Sequence, residues 1–198
     1  MKPFFLFAPG AGASSLHPWM QRWKALLGQL GKVETFDYDY VREGRRRPDS
    51  LPRLIEAHRS ALAKVRPEHA VPIVLIGKSM GGRIGCHVSL VEKISGLICL
   101  GYPLCGGGDP DRLRDAVLRE LKTPILFVQG TRDALCPLEL LEKVRREMEA
   151  PNFLYRVEEG DHSLEINKMR LQKRMTTQAA VDAGIQQAIA EFTARLSA

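Results

Sequence analysis

The sequence predicts an α/β fold, a three-layer α/β/α sandwich in which a mostly parallel six-stranded sheet lies between two layers of helices. Strand-like and helix-like patterns alternate along the whole chain, and no linker interrupts them. Most strand candidates are continuous apolar runs, as expected when both faces of a sheet are covered. The predicted strands are Pro3–Ala8, Val33–Tyr38, Pro72–Ile76, Gly96–Gly101, Pro124–Gln129 and Phe153–Val157. Val33–Tyr38 is the least continuous run and is therefore expected nearer a sheet edge.

Helical periodicity fills the intervals between these strands. The predicted helices are Trp19–Leu30, Leu51–Val65, Asp111–Leu121, Leu138–Met148 and Thr177–Leu196, and a further helix follows Ser79. Arg42–Pro52 and Leu104–Pro110 are the most loop-like stretches. A chain of 198 residues with this regular alternation is expected to form a single domain over residues 1–198.

Composition narrows the class of protein. The chain is 44% hydrophobic and 26% charged, as in ordinary globular proteins. Its longest apolar runs are strand-sized, so we expect no membrane span. The four cysteines form no Cys-x-x-Cys pair, which argues against a zinc site and favours reduced thiols in the cytoplasm. No metal or other cofactor is expected.

The net charge of +6 raises the question of an acidic partner. The densest basic cluster is Arg42 with Arg45, Arg46 and Arg47, while the remaining cations are spread over several segments. We interpret these residues as solvated surface, and nucleic acid is not an expected partner.

The strongest chemical motif follows the third predicted strand. Gly77-Lys78-Ser79-Met80-Gly81 matches G-x-S-x-G between a strand and a helix, where a serine stands on a sharp turn and small neighbours prevent collision of the two elements. Ser79 is therefore the candidate nucleophile. A glycine-rich turn that contains a serine by chance is the structural alternative.

Two nucleotide-binding motifs are incomplete in this sequence. Gly77-Lys78-Ser79 resembles the end of a phosphate-binding loop, but Pro72 stands where the first glycine of that motif belongs. Gly10-Ala11-Gly12 begins a dinucleotide fingerprint that Ser15 fails to complete. A nucleotide enzyme is therefore not expected.

Hydrolysis through a serine needs backbone donors for the oxyanion that develops on the substrate. We assign one donor to the N–H of Met80, at the start of the following helix, and the second to Ala11, with Gly12 as the alternative. A plain turn before a helix capped by Ser14 or Ser15 also fits this loop. Gly10, Gly12 and Lys78 are expected to contact the substrate.

A serine hydroxyl also needs a base and a carboxylate that fixes the tautomer of the base. Asp133 follows the strand Pro124–Gln129, and His162 follows the last strand, which gives the chain order serine, acid, histidine. Asp161 adjoins His162 too closely in sequence to aim well at its imidazole. The other histidines have structural explanations: His17 starts a helix, His58 and His87 lie on helices, and His69 lies in a loop.

These blocks together resemble the α/β-hydrolase superfamily, and in particular its dienelactone-hydrolase-like members. The resemblance spans nearly the whole chain. More narrowly, the chain is similar to the branch that contains testis-expressed protein 30 and a subunit of the NSL histone-acetyltransferase complex. The resemblance implies a minimal fold without a cap domain, because only Leu104–Thr123 separates the strands that flank the usual cap insertion.

The family resemblance implies hydrolysis of esters, thioesters or amides through an acyl-serine intermediate, and we expect a small-molecule ester or thioester as the substrate. The superfamily also contains members that bind partners without catalysis. The alternative is therefore a catalytically silent module that binds acidic protein or nucleic-acid partners through its arginine cluster.

Overall fold

The computed structural model describes residues 2–65 and 71–196, which form eight strands and eight helices. The strands are β1 (Phe4–Ala8), β2 (Lys32–Thr35), β3 (Ile73–Lys78), β4 (Gly96–Leu100), β5 (Cys105–Gly106), β6 (Asp109–Leu113), β7 (Ile125–Gly130) and β8 (Asn152–Val157). The helices are α1 (Pro18–Gly28), α2 (Asp39–Arg42), α3 (Leu51–Val65), α4 (Met80–Ser89), α5 (Ala116–Glu120), α6 (Leu138–Glu147), α7 (Lys168–Lys173) and α8 (Gln178–Arg195).

Six of these strands form one sheet in the order β2-β1-β3-β4-β7-β8, and β5 and β6 form a separate antiparallel pair. Every pairing in the large sheet is parallel. The carboxyl ends of all six strands therefore lie along the same edge of the sheet, where ligands bind in open α/β folds. The predicted six-stranded sheet is confirmed, and β2 occupies an edge as expected.

Successive side chains of β1 point to opposite faces of the sheet. Helices cover both faces, so these side chains enter two different hydrophobic cores. Phe4 and Leu6 pack into the core that includes residues from α3, α4, α5 and α6. Phe5 and Phe7 pack into the opposite core, with residues from α1 and α8. Burial on both faces explains why this strand is a continuous apolar run in the sequence.

The helix predicted over Asp111–Leu121 is wrong in its first half. Asp109–Leu113 forms β6, and only Ala116–Glu120 is helical. The chain reverses at Gly107 and Gly108, whose φ angles of +69° and +82° suit glycine. Part of the segment predicted as a loop, Leu104–Pro110, therefore belongs to a small hairpin. Val117 and Leu118 are buried on α5, which begins only after the hairpin closes, and Leu121 lies just beyond the end of this helix.

Helix α7 was not predicted from the sequence. Its N-cap is Asn167, whose side chain accepts a hydrogen bond from the N–H of Arg170 at 3.2 Å. No residue of α7 is buried, so its sequence lacks the apolar periodicity by which helices are recognised. In the described parts of the chain, no helix combines the length and the apolar character that crossing a bilayer requires.

The histidines other than His162 occupy the positions expected of them where they are described. His17 caps α1 by accepting the N–H of Trp19 at 3.2 Å, and His58 and His87 lie on α3 and α4. His69 lies outside the described residues. His58 is fully buried, and its Nδ1 lies 3.3 Å from the hydroxyl of Tyr38.

Burial lowers the pKa of His58 from 6.5 to about 3. In the unfolded chain this histidine takes up a proton below pH 6.5, whereas in the folded protein it stays neutral. The unfolded state then binds more protons, so stability is lost as the pH falls. Between about pH 8 and about pH 5, we expect the free energy of unfolding to fall in both the wild type and His58→Gln. The fall should be about 2 kcal/mol larger in the wild type.

Urea denaturation at both pH values measures this difference. Glutamine keeps an acceptor for Tyr38 but does not titrate, and all other groups are common to the two proteins. Equal losses of stability in the wild type and His58→Gln would contradict the prediction.

Candidate functional site

Ser79 stands on a strained turn between β3 and α4. Its φ of +49° and ψ of −114° lie in a region that non-glycine residues rarely adopt. A Cβ atom on Gly77 would lie 2.2 Å from the backbone nitrogen of Gly82, and one on Gly81 would lie 2.6 Å from the carbonyl oxygens of Ala8 and Pro9. The close packing of strand and helix therefore requires glycine at both positions, as the motif predicts.

The structure brings Ser79, His162 and Asp133 together, although the three residues are widely separated in sequence. The Nε2 atom of His162 lies 2.8 Å from the Oγ of Ser79, and its Nδ1 lies 2.7 Å from the Oδ2 of Asp133. A carboxylate beside Nδ1 favours the tautomer that carries its proton there. The lone pair of Nε2 then faces the serine hydroxyl and is available as a base.

Asp133 is held by two further groups besides His162. Its side chain has no exposed surface, and its Oδ1 accepts the N–H of Leu135 at 2.8 Å. The side-chain amide of Gln129, at the end of β7, donates to Oδ2 and accepts the N–H of Tyr102 at 2.9 Å. Gln129 was not predicted as a site residue. The available signal was a polar side chain inside an otherwise apolar strand.

Asp161, which sequence reasoning set aside, serves the backbone of its own loop. Its Oδ1 accepts the N–H groups of Ser163 at 2.7 Å and Glu165 at 3.0 Å. The loop that carries His162 therefore has an internal support, and the carboxylate that meets the imidazole comes from the loop after β7.

The loop that carries His162 lies directly on the ends of β4 and β7. A Cβ atom on Gly130 would lie 2.3 Å from the carbonyl oxygens of Gly160 and Asp161. A Cβ atom on Gly101, whose φ is +70°, would lie 2.5 Å from the carbonyl oxygen of His162. These two glycines, which sequence reasoning missed, leave the space in which the histidine approaches Ser79.

The loop after β1 distinguishes between the two candidate oxyanion donors. The N–H of Gly12 donates to the hydroxyl of Tyr40 at 3.0 Å, so it is already engaged. Gly10 and Ala11 line the cavity in front of Ser79. Met80 is the first residue of α4, where backbone N–H groups have no partner inside the helix. Gly12 is therefore engaged elsewhere, and the assignment of Ala11 as the companion of Met80 stays a prediction.

A cavity of about 680 Å³ opens in front of Ser79 and His162. Most of its wall is apolar and consists of Ala11, Ala13, Pro18, Trp19, Met20 and Leu135. Besides Ser79 and His162, the polar and charged side chains on its wall are His17, Arg22, Lys78, Ser163 and Glu165. Lys78, which was expected to bind substrate, lines the cavity, but its Nζ donates to the carbonyl oxygen of His162. Gly12 is not part of the wall.

The β5–β6 hairpin stands beside the cavity, at the position where a cap would be inserted. The N–H of Cys105 donates to the carbonyl oxygen of Leu135 at 2.7 Å. A Cβ atom on Gly108 would lie 3.8 Å from the Leu135 side chain. The hairpin thus supports one wall of the cavity.

Within residues 2–65 and 71–196, no group of three or more histidine, cysteine, aspartate and glutamate side chains is placed to hold a metal ion.

The chain matches the model of the alpha/beta hydrolase domain family over residues 1–193. It is similar in fold to a serine hydrolase homologue from Coxiella burnetii, with a TM-score of 0.70 and 19% identity, over 100% of this chain and 85% of that one. A dienelactone hydrolase from Anabaena variabilis matches with a TM-score of 0.68 and 20% identity, over 96% and 84% of the two chains.

Est1E from Butyrivibrio proteoclasticus, solved with bound ferulic acid, also shares the fold. It matches with a TM-score of 0.70 and 15% identity, over 98% of this chain and 89% of that one. At these identities the similarity establishes the fold. The narrower branch named from the sequence motifs stays a prediction.

Two glycine substitutions, one beneath the histidine loop and one away from it, are expected to change the stability of the protein in opposite directions. We expect Gly130→Ala to destabilise the protein by about 1–3 kcal/mol, because the new methyl group meets backbone oxygens. Gly28→Ala, at the exposed end of α1 with no atom within 4 Å of the new methyl group, should raise stability by about 0.4–1 kcal/mol.

Urea denaturation measures both changes, and carbethoxylation of His162 reports whether its loop has moved in Gly130→Ala. Equal stability of the two variants would contradict this account of the loop.

Proposed function

Because the chain belongs to the alpha/beta hydrolase domain family, we propose that it is a serine hydrolase that cleaves an ester or thioester through an acyl-Ser79 intermediate. The observation that carries the proposal is the continuous hydrogen-bond chain from Ser79 through His162 to buried Asp133, with distances of 2.8 and 2.7 Å. A serine, an imidazole and a carboxylate in this order convert a weakly nucleophilic alcohol into an effective nucleophile.

In the proposed reaction, the Oγ of Ser79 attacks the substrate carbonyl carbon while Nε2 of His162 accepts its proton. Asp133 stabilises the imidazolium that forms. The N–H groups of Ala11 and Met80 donate to the oxyanion of the tetrahedral intermediate. When the bond to the leaving group breaks, the leaving group takes the proton from Nε2. A water molecule then releases the acyl group by the same steps.

The cavity suggests the size and character of the acyl group. Its apolar wall, with Trp19 at one side, suits a short or aromatic acyl chain. The ferulic acid bound to the fold-similar Est1E supports an aromatic acid as one class to test. Only a small hairpin and a short helix lie between β4 and β7, so the proposed substrates include small esters and acyl groups that protrude from a larger molecule.

The arginine cluster gives less support to the alternative, a silent module for acidic partners. Arg42 pairs with Asp39, and Arg45 pairs with Glu43 at 2.6 Å and Asp49 at 2.9 Å. Pairing of these two of the four arginines reduces the positive field that would attract an acidic partner. We therefore propose the hydrolase.

The single-domain organisation and the cytoplasmic location stay predictions. The four cysteines, Cys86, Cys99, Cys105 and Cys136, are free and buried, which is compatible with a reducing compartment.

A fluorophosphonate probe tests whether Ser79 is activated. We expect stoichiometric labelling of the wild type, complete loss of labelling in Ser79→Ala, and a fall in ester turnover of about 10⁴-fold or more. Ser89→Ala removes a hydroxyl ten residues further along, which donates to the carbonyl oxygen of Cys86 on the same helix, and should label and turn over normally. Labelling that persists in Ser79→Ala would overturn the assignment of the nucleophile.

The two acidic candidates, Asp133 and Asp161, give a matched pair of variants. We expect Asp133→Asn to lower kcat by about 10⁴-fold, because an amide favours the wrong imidazole tautomer. Asp161→Asn keeps an oxygen that can accept the N–H groups of its loop, so its kcat should stay within about threefold of the wild type, a change of under 1 kcal/mol. Kinetics on a chromogenic ester at neutral pH measure both, and a larger loss in Asp161→Asn than in Asp133→Asn would reverse their roles.

A further inference from the structure

Two side chains from different elements hold consecutive carbonyl groups of the histidine loop. The Nζ of Lys78, at the end of β3, donates to the carbonyl oxygen of His162. The indole Nε1 of Trp19, on α1, donates to the carbonyl oxygen of Ser163 at 2.9 Å. The position of the backbone at residue 162 determines the position of its imidazole. These two contacts therefore help to position the base of the proposed reaction.

The two side chains also contact each other. The Nζ of Lys78 lies 5.5 Å from the centre of the Trp19 ring, within the range of a cation–π interaction. On the other side, a Cβ atom on Gly101 would lie 3.3 Å from this Nζ and 3.4 Å from the Nδ1 of His162. Lys78 therefore occupies a narrow slot between the end of β4, α1 and the histidine loop.

This placement is unfavourable for an ammonium group. Burial lowers the pKa of Lys78 to about 8. The negative charges of Asp133, Asp161 and Glu165 oppose this shift but do not cancel it. In residues 2–65 and 71–196, no carboxylate oxygen lies within ion-pair distance of its Nζ. An unbranched apolar side chain would fill the slot without desolvating a charge. Perturbed groups of this kind concentrate at functional sites.

We propose that Lys78 is a positioning residue that, together with Trp19, fixes the histidine loop so that the Nε2 of His162 stays within reach of the Ser79 hydroxyl. The inference rests on the proposed function of Ser79 and His162. It assigns to Lys78 a role in turnover rather than in substrate binding. A charge-assisted bond to the His162 carbonyl is stronger than a neutral one, and a misplacement of about 1 Å in a catalytic group costs about 100-fold in rate.

Lys78→Met tests the inference, because methionine keeps an unbranched side chain and removes the donor. We expect kcat to fall roughly 10–100-fold, with KM within about threefold of the wild type and no loss of stability to urea. Lys143→Met, on the exposed face of α6, is the matched control and should behave as the wild type. A Lys78→Met protein with wild-type kcat, or one whose KM alone rises, would overturn the inference.

A pH profile gives a readout that a merely structural role would not move. Since the pKa of Lys78 is about 8, raising the pH through this value removes the charge that strengthens its bond. The wild-type kcat should then decline towards the value for Lys78→Met, whereas the variant should lack this step. The charged and titratable groups that face Lys78, which are Asp133, Asp161, His162 and Glu165, are common to both proteins. Profiles of the same shape would contradict the inference.

Chemical rescue separates the lost donor from a general packing defect. Lys78→Cys treated with 2-bromoethylamine carries a thioether analogue of lysine, and the four native thiols are buried. We expect kcat of the treated variant to be at least about tenfold higher than that of untreated Lys78→Cys. This gain is part of the roughly 10–100-fold loss that a misplaced base should cause. Treated wild type is the reagent control. Failure of the modified side chain to restore activity would count against the inference.

The outcomes for the two proposals are distinguishable. A wild-type protein that neither reacts with the fluorophosphonate probe nor turns over an ester overturns the proposed function, and this inference with it. A reactive wild type beside an equally active Lys78→Met overturns the inference about Lys78 alone.

Discussion

The parallel direction of the central strands is the constraint on which the rest of the site depends. Because all six strands run the same way, the chain leaves β3, β7 and β8 along one edge of the sheet. Register brings the ends of neighbouring strands level, with Lys78 opposite Leu100 and Gly130 opposite Val157. Residues that are distant in sequence therefore leave the sheet along the same edge, which no local interaction would achieve.

At that edge, the backbones of the loops and of α4 approach the strands closely enough for the site residues to form hydrogen bonds. Gly101 and Gly130 admit the histidine loop to the sheet, and Gly77 and Gly81 let α4 pack against β1 and β3. The strained backbone of Ser79 persists because both flanking elements are buried and fixed. Each of these positions would bring a side-chain carbon within 2.6 Å of backbone atoms, so the site tolerates little variation in its frame.

A set of buried polar groups then gives the site its orientation. Gln129 and the N–H of Leu135 hold Asp133 so that one oxygen faces the imidazole. The hydroxyl of Tyr40 engages the N–H of Gly12 and fixes the loop after β1. Buried polar groups of this kind are favourable only when each has a hydrogen-bond partner. The orientation of the site residues therefore depends on every group in this network being paired.

The sequence by itself determined the six-stranded sheet, the motif around Ser79 and the chain order of the candidate site residues, because these depend on local periodicity and on short spacings. It did not determine the β5–β6 hairpin or α7, whose segments carry weak or misleading periodicity. Only the tertiary structure decided that Gly12 is engaged by Tyr40, that Gln129 supports Asp133, and that Lys78 contacts the His162 loop. These contacts join residues from separate elements, and their geometry is fixed only when the sheet edge brings those elements together.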